Sequence, residues 1–175
     1  MNYSTFQKGS QWRKWDFHVH TPESVLNHSF GTEWDVYVTN LFKKAIAEEI
    51  EAIGITDYFT IDGYKKLKQN YLEKPEKLAE LFEEEEIEQI SKILIFPNIE
   101  FRIDKLVLNS GITDKWNRKV NFHILMSNNL TIDEIEQDFL HNLDFEILAG
   151  EGTSEQKKKL TGRNLTSFGA ELKSQ

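Results

Sequence analysis

The chain contains no cysteine, which excludes a disulfide framework and any thiolate metal site. No apolar run approaches the twenty or so residues needed to cross a bilayer. The opening Met1-Asn2-Tyr3-Ser4-Thr5-Phe6 also lacks the apolar core of a signal peptide. A cytoplasmic protein with no membrane partner is expected. Proline and glycine are few, at 3 and 9 residues of 175, which excludes fibrous and low-complexity compositions. Positive charge is also short: the formal net charge of −8 argues against a broad nucleic-acid-binding surface, where phosphate contacts dominate affinity. It leaves room for a small site that hydrolyses a phosphate ester around bound cations. Without thiolates, any metal must be held by histidine nitrogen and carboxylate oxygen, which suits zinc, manganese or iron.

The length suits one domain with a real core. Residues 1–14 read as an extended lead-in, with Lys8, Arg13 and Lys14 as a light, solvated basic cluster. Residues 15–175 form the domain. It is organised around Trp15-Asp16-Phe17-His18-Val19-His20-Thr21-Pro22, an aromatic and β-branched run that ends in a turn. Strand alternation sends Asp16, His18 and His20 to one face. Three polar groups side by side are costly to bury unless something satisfies them, and a divalent metal ion would.

After a loop to about Glu33, Asp35–Ile50 reads as a helix, with Tyr37, Leu41, Phe42, Ala45 and Ile46 at three- and four-residue steps. Ala52–Tyr58 is a second, continuously apolar strand of the kind found in parallel sheets. Strand, helix and strand together suggest a βαβ unit. A short helix follows at Tyr64–Asn70. A longer one opens at Pro75, striped by Leu78, Leu81, Phe82 and Ile90, with Glu83–Glu86 as a solvated face. Ile93–Ile103 is a third strand, in which Pro97 marks an edge, a bulge or a strand start. Asn109–Asn117 reads as a loop and Lys119–Ser127 as a fourth strand. Thr131 opens a helix by its capping-box spacing to Glu134, with His141 on its exposed face. Phe145–Ala149 reads as a fifth short strand. A polar segment, Gly150–Lys159, leads to a final helix at Thr166–Lys173.

The first four strands each end in side chains of the metal-ligand type: His18 and His20, then Asp57, then Glu100, then His123. In parallel α/β folds, sites gather at the carboxyl ends of strands. Glu100 follows an apolar strand and reads as a bridging carboxylate. Arg102, two residues on, is either its salt-bridge partner or a clamp for a phosphoryl oxygen, to which a planar guanidinium is well suited.

Trp15-Asp16-Phe17-His18-Val19-His20-Thr21, Gly54-Ile55-Thr56-Asp57, Asn98-Ile99-Glu100 and Phe122-His123, in this order, resemble the opening motifs of the polymerase and histidinol phosphatase (PHP) domain. More narrowly, the stretch from Ile55 to Lys66 and Pro97-Asn98-Ile99-Glu100-Phe101-Arg102 resemble TrlF-type proteins, in which an N-terminal PHP domain precedes a large SMC-like ATPase. The resemblance implies an α/β fold, a partial or reduced distorted (β/α) barrel of parallel strands with a metal site at their C-terminal ends. It also implies hydrolysis of a phosphate ester by two or more divalent ions. His18 and His20 would hold one ion, Glu100 would bridge, and His123 would bind a second. His28 is the candidate for a further ligand, with Asp57 and Arg102 as catalytic candidates.

Two departures stand out. The family's usual ligand after the Thr-Asp pair is a histidine, and here that position is Tyr58. The later His and Asp-x-His motifs have no match after His123. The expectation is thus a metal-dependent phosphoesterase acting on a phosphomonoester, nucleotide or nucleic-acid end. The alternative is a degenerate module serving an SMC-like ATPase, in the same or a partner chain, in DNA repair or defence. An amidohydrolase-type enzyme ranks last, for want of a lysine at a suitable strand end. The chain reads as the front portion of a longer protein or as a reduced version whose open sheet edge invites self-association.

Overall fold

The computed structural model describes residues 12–24, 30–106, 119–147 and 156–173; for 102–106, 119–120, 146–147, 156 and 168–173 only the backbone is described. Strands β1 (Lys14–His20), β2 (Ile50–Tyr58), β3 (Leu94–Leu106) and β4 (Lys119–Leu125) form one sheet in that spatial order. The sheet curls into a half-barrel within a mixed α/β fold. β1, β2 and β3 run parallel, as the βαβ reading requires.

β4 departs from the all-parallel expectation. It runs antiparallel to β3, with Glu100 directly opposite His123. His123 therefore joins its neighbours by mid-strand register and not by sitting at the carboxyl end of a parallel strand.

Helices α1 (Trp34–Ala47), α2 (Asp62–Leu67), α3 (Pro75–Ala79) and α4 (Glu84–Ile90) lie between the parallel strands in sequence. Val38, Phe42 and Ala45 of α1 share one core with Ile53 and Ile55 of β2, Ile95 and Ile99 of β3, and Leu67, Leu78 and Phe82. Each fully buried side chain of this size contributes about 1.5–3 kcal/mol relative to exposure. The single helix expected from Pro75 is broken in two. Glu83 is the N-cap of α4, closing a capping box with Glu86. The acidic run is thus a helix start, where carboxylates complement the exposed N–H groups.

Pro97 lies in an inner strand without breaking its ladder. Its carbonyl accepts from Met126 N at 2.9 Å, and a residue's N–H and C=O point to the same side of a strand. The missing donor faces β4 just beyond the last pair, Asn98 with Leu125.

The capping box at Thr131 and Glu134 forms, but the turns that follow are wound wide, as a π-helix over Glu134–Phe139. The polar segment before the last helix ends in a strand, β6 (Gln156–Lys159), paired antiparallel with β5 (Asp144–Ile147). α5 spans Gly162–Lys173. Arg13 and Lys14 are anchored: Arg13 pairs with Glu51, and Lys14 Nζ donates to Glu48 O at 2.9 Å. Lys8 lies outside the described residues. Among the described residues, no helix is long and apolar enough to cross a membrane.

Candidate metal centre

Period-two alternation divides the sheet between two chemistries. Ile53, Ile55 and Asp57 of β2 pair with Ile95, Pro97 and Ile99 on the core face; Gly54, Thr56 and Tyr58 pair with Phe96, Asn98 and Glu100 on the other. The site is built on that second face.

A bulge in β1 aims the histidines. Between Asp16 and Val19 the strand advances by three residues while β2 advances by two, from Ile53 to Ile55. Phe17 O turns toward β2 and β3, accepting from Thr56 Oγ1 at 3.3 Å and Asn98 Nδ2 at 2.6 Å. Gly54 makes this approach possible, since a Cβ there would stand 2.6 Å from Phe17 O. Asp16 takes no part in the cluster: its carboxylate accepts from His18 N at 3.2 Å on its own strand.

His18 and His20 converge on Glu100. His18 Nε2 lies 3.1 Å from both His20 Nε2 and Glu100 Oε2, and His20 Nε2 lies 3.2 Å from the same oxygen. Glu100 is completely buried, and its Oε1 has no hydrogen-bond partner. An ionised carboxylate left half-satisfied in the interior is costly. His18, Glu100 and His123 form a second, overlapping triad whose ligand-type atoms fall within 4.8 Å of one another. The His123 ring stands edge-on to His18 at 4.5 Å.

Further groups orient these rings. His20 Nδ1 lies 3.0 Å from the hydroxyl of buried Ser24, and Tyr37 Oη donates to His20 O at 2.9 Å. Asn98 Nδ2 lies 3.0 Å from His123 Nδ1 and 2.9 Å from Thr56 Oγ1. Burial lowers the pKa of His20, and it also lowers that of His123. Both rings are therefore favoured in the neutral form at neutral pH.

The structure does not bring Asp57 to this cluster. It points into the opposite face, where Oδ1 accepts from Thr21 Oγ1 at 2.8 Å and Oδ2 from Gly63 N at 2.6 Å. It links the end of β1 to the start of α2, and burial raises its pKa to about 6. Tyr58, one residue on, takes the site face and stacks on His20. Arg102 pairs with Asn121 through its backbone; its side chain, and all of His28, lie outside the described residues. His141 is half-buried in a 3-10 turn at Leu140–Asn142, and its Nδ1 lies 3.0 Å from Gln137 Oε1 of the preceding π-helix.

Ser24 and Asn98 were not singled out from the sequence. Asn98 had a signal, since it precedes Glu100 by two residues and so shares its face. Ser24 had none. The described residues thus present a histidine and carboxylate cluster on one face of the curled sheet of an α/β half-barrel. No family model, curated protein or solved structure matches the chain.

Proposed function

We propose that this chain is a metal-dependent phosphoesterase domain of the PHP type, hydrolysing a phosphomonoester, a nucleotide or a nucleic-acid end. One observation carries the reading: three ligand atoms, His18 Nε2, His20 Nε2 and Glu100 Oε2, stand 3.1–3.2 Å apart around a buried carboxylate whose other oxygen is unpartnered. Ligand distances of about 2.0–2.1 Å around a tetrahedral ion place neighbouring ligand atoms about 3.3 Å apart. The donor set fits zinc, manganese or iron. Such an ion supplies Lewis acidity and charge neutralisation at a phosphoryl group.

The chain's own residues supply the rest. His18, His20 and Glu100 would hold the ion. Ser24 holds the His20 ring by its Nδ1, and the Phe17 bulge sets the direction of His18. Arg102 is the candidate for binding a phosphoryl oxygen.

A second reading has one observation in its favour. Tyr58 occupies the site face where the resembling family places a ligand, and it covers His20 with an aromatic ring. A domain so altered would bind metal and serve as an assembly surface for an ATPase.

The test is manganese- and zinc-dependent hydrolysis of p-nitrophenyl phosphate, nucleotides and single-stranded DNA ends by the purified protein, alongside Glu100→Gln. Turnover lost in Glu100→Gln supports the enzyme. Tight metal binding without turnover on any substrate favours the assembly module.

A further inference from the structure

The amide nitrogen of Asn98 faces every other strand of the sheet, with two hydrogens for three neighbours. Its Nδ2 lies 2.6 Å from Phe17 O on β1, 2.9 Å from Thr56 Oγ1 on β2 and 3.0 Å from His123 Nδ1 on β4. A backbone carbonyl only accepts, so the short contact to Phe17 O requires the amide nitrogen on that side. Turning the amide over would set two carbonyl oxygens 2.6 Å apart. The orientation is therefore fixed by chemistry, even though Oδ1 is left buried without a partner.

This orientation decides the tautomer of His123. An amide nitrogen donates and does not accept, so the Nδ1 facing it carries the lone pair. In the neutral ring the proton then sits on Nε2. His20 is the counter-case. Its Nδ1 faces a serine hydroxyl, which can donate or accept, so Nε2 can carry the lone pair that an ion needs. The serine leaves His20 either tautomer, whereas the Asn98 amide nitrogen leaves His123 only one.

We propose that His123 is not an ion ligand but presents an Nε2–H hydrogen-bond donor to an anionic oxygen of the phosphate ester, with Asn98 as the positioning residue that fixes this tautomer. Distance alone admits His123 to a metal cluster with His18 and Glu100. Its hydrogen bonding does not, because Nδ1 is occupied and Nε2 has no lone pair to give. Among the described residues, the ion then rests on His18, His20 and Glu100. This inference rests on the phosphoesterase reading for its substrate but not for its tautomer.

Two measurements test it. In the metal-free wild-type protein labelled with 15N-histidine, long-range 1H–15N correlation spectra are expected to show His123 with an unprotonated Nδ1 and a protonated Nε2. Asn98→Ala should relax this to a mixture, with circular dichroism confirming the fold. In zinc titrations followed by calorimetry, half-buried His123→Ala should keep one site with affinity within about 10-fold of wild type. His20→Ala should lose more than the roughly 10–100-fold typical of an outer-shell partner. A protonated Nδ1 on His123 overturns the proposal, as does loss of zinc in His123→Ala equal to that in His20→Ala. Wild-type protein that binds no zinc or manganese overturns the phosphoesterase reading instead, and the spectra then decide the role of His123 alone.

Discussion

Tyr58 lies over the ring of His20, with centroids 4.9 Å apart and planes 26° from parallel. Aromatic pairs of this kind contribute about 0.5–1.5 kcal/mol beyond area burial. Together with the bond from Nδ1 to Ser24, the stack restricts the ring that points Nε2 at Glu100. Tyr58→Ala is therefore expected to weaken zinc or manganese binding by roughly 2–10-fold, read by calorimetric titration. Unchanged affinity would show that Tyr58 does not hold His20 in place.

Asp57 gives a pH dependence of defined sign. Burial raises its folded-state pKa from 3.8 to about 6. Between about pH 4 and pH 6 the folded protein keeps a proton that the unfolded chain has released, so this group's contribution to stability falls as pH rises through that window. At about 1.4 kcal/mol per pKa unit, the whole effect is on the order of 3 kcal/mol. Relative to wild type, Asp57→Asn should gain stability in urea unfolding as the pH is taken from 4 to 7. Parallel pH profiles for the two proteins would refute this assignment.

Gly54 couples the sheet to the site. A Cβ there would meet Phe17 O at 2.6 Å and Phe17 Cα at 2.8 Å, both backbone atoms that cannot step aside cheaply. Gly54→Ala is expected to cost about 1–3 kcal/mol, typical of overpacking. It should also weaken ion binding, because the bulge it displaces carries His18. Stability lost with metal affinity intact would mean that the bulge does not aim His18.

Glu49 follows α1 with φ +56°, a left-handed position that usually belongs to glycine. Its ion pair with Lys14, at 3.8 Å between well-exposed groups, contributes little. Glu49→Gly should raise stability by about 0.5–1 kcal/mol, seen as a higher Tm. A lower Tm would assign the Lys14 contact more weight than its exposure suggests.

The sequence places β1, β2, β3 and β4 well because each is a run of β-branched and aromatic residues, and it places His18, His20, Glu100 and His123 together because each sits on such a run. The direction of β4 was not readable. Nothing in Lys119–Leu125 tells a strand which way to lie, and that choice is what puts His123 opposite Glu100. Asp57 looked like a site residue because it carries the charge, whereas the side facing Glu100 is set by register, which pairs Glu100 with Tyr58. The bulge at Phe17 was equally silent, since it depends on a glycine thirty-seven positions away (54 minus 17). The break after α3 was legible in hindsight: Glu83 and Glu86 have the spacing of a capping box.

The bond between His18 and Glu100 spans 82 residues, and that between Phe17 and Asn98 spans 81. Contacts so distant in sequence form only after large loops have closed, which slows folding of the sheet that carries them. An ion held by His18, His20 and Glu100 would favour the state in which those loops are closed, and the split of its effect between folding and unfolding rates measures how far the centre is formed at the rate-limiting step.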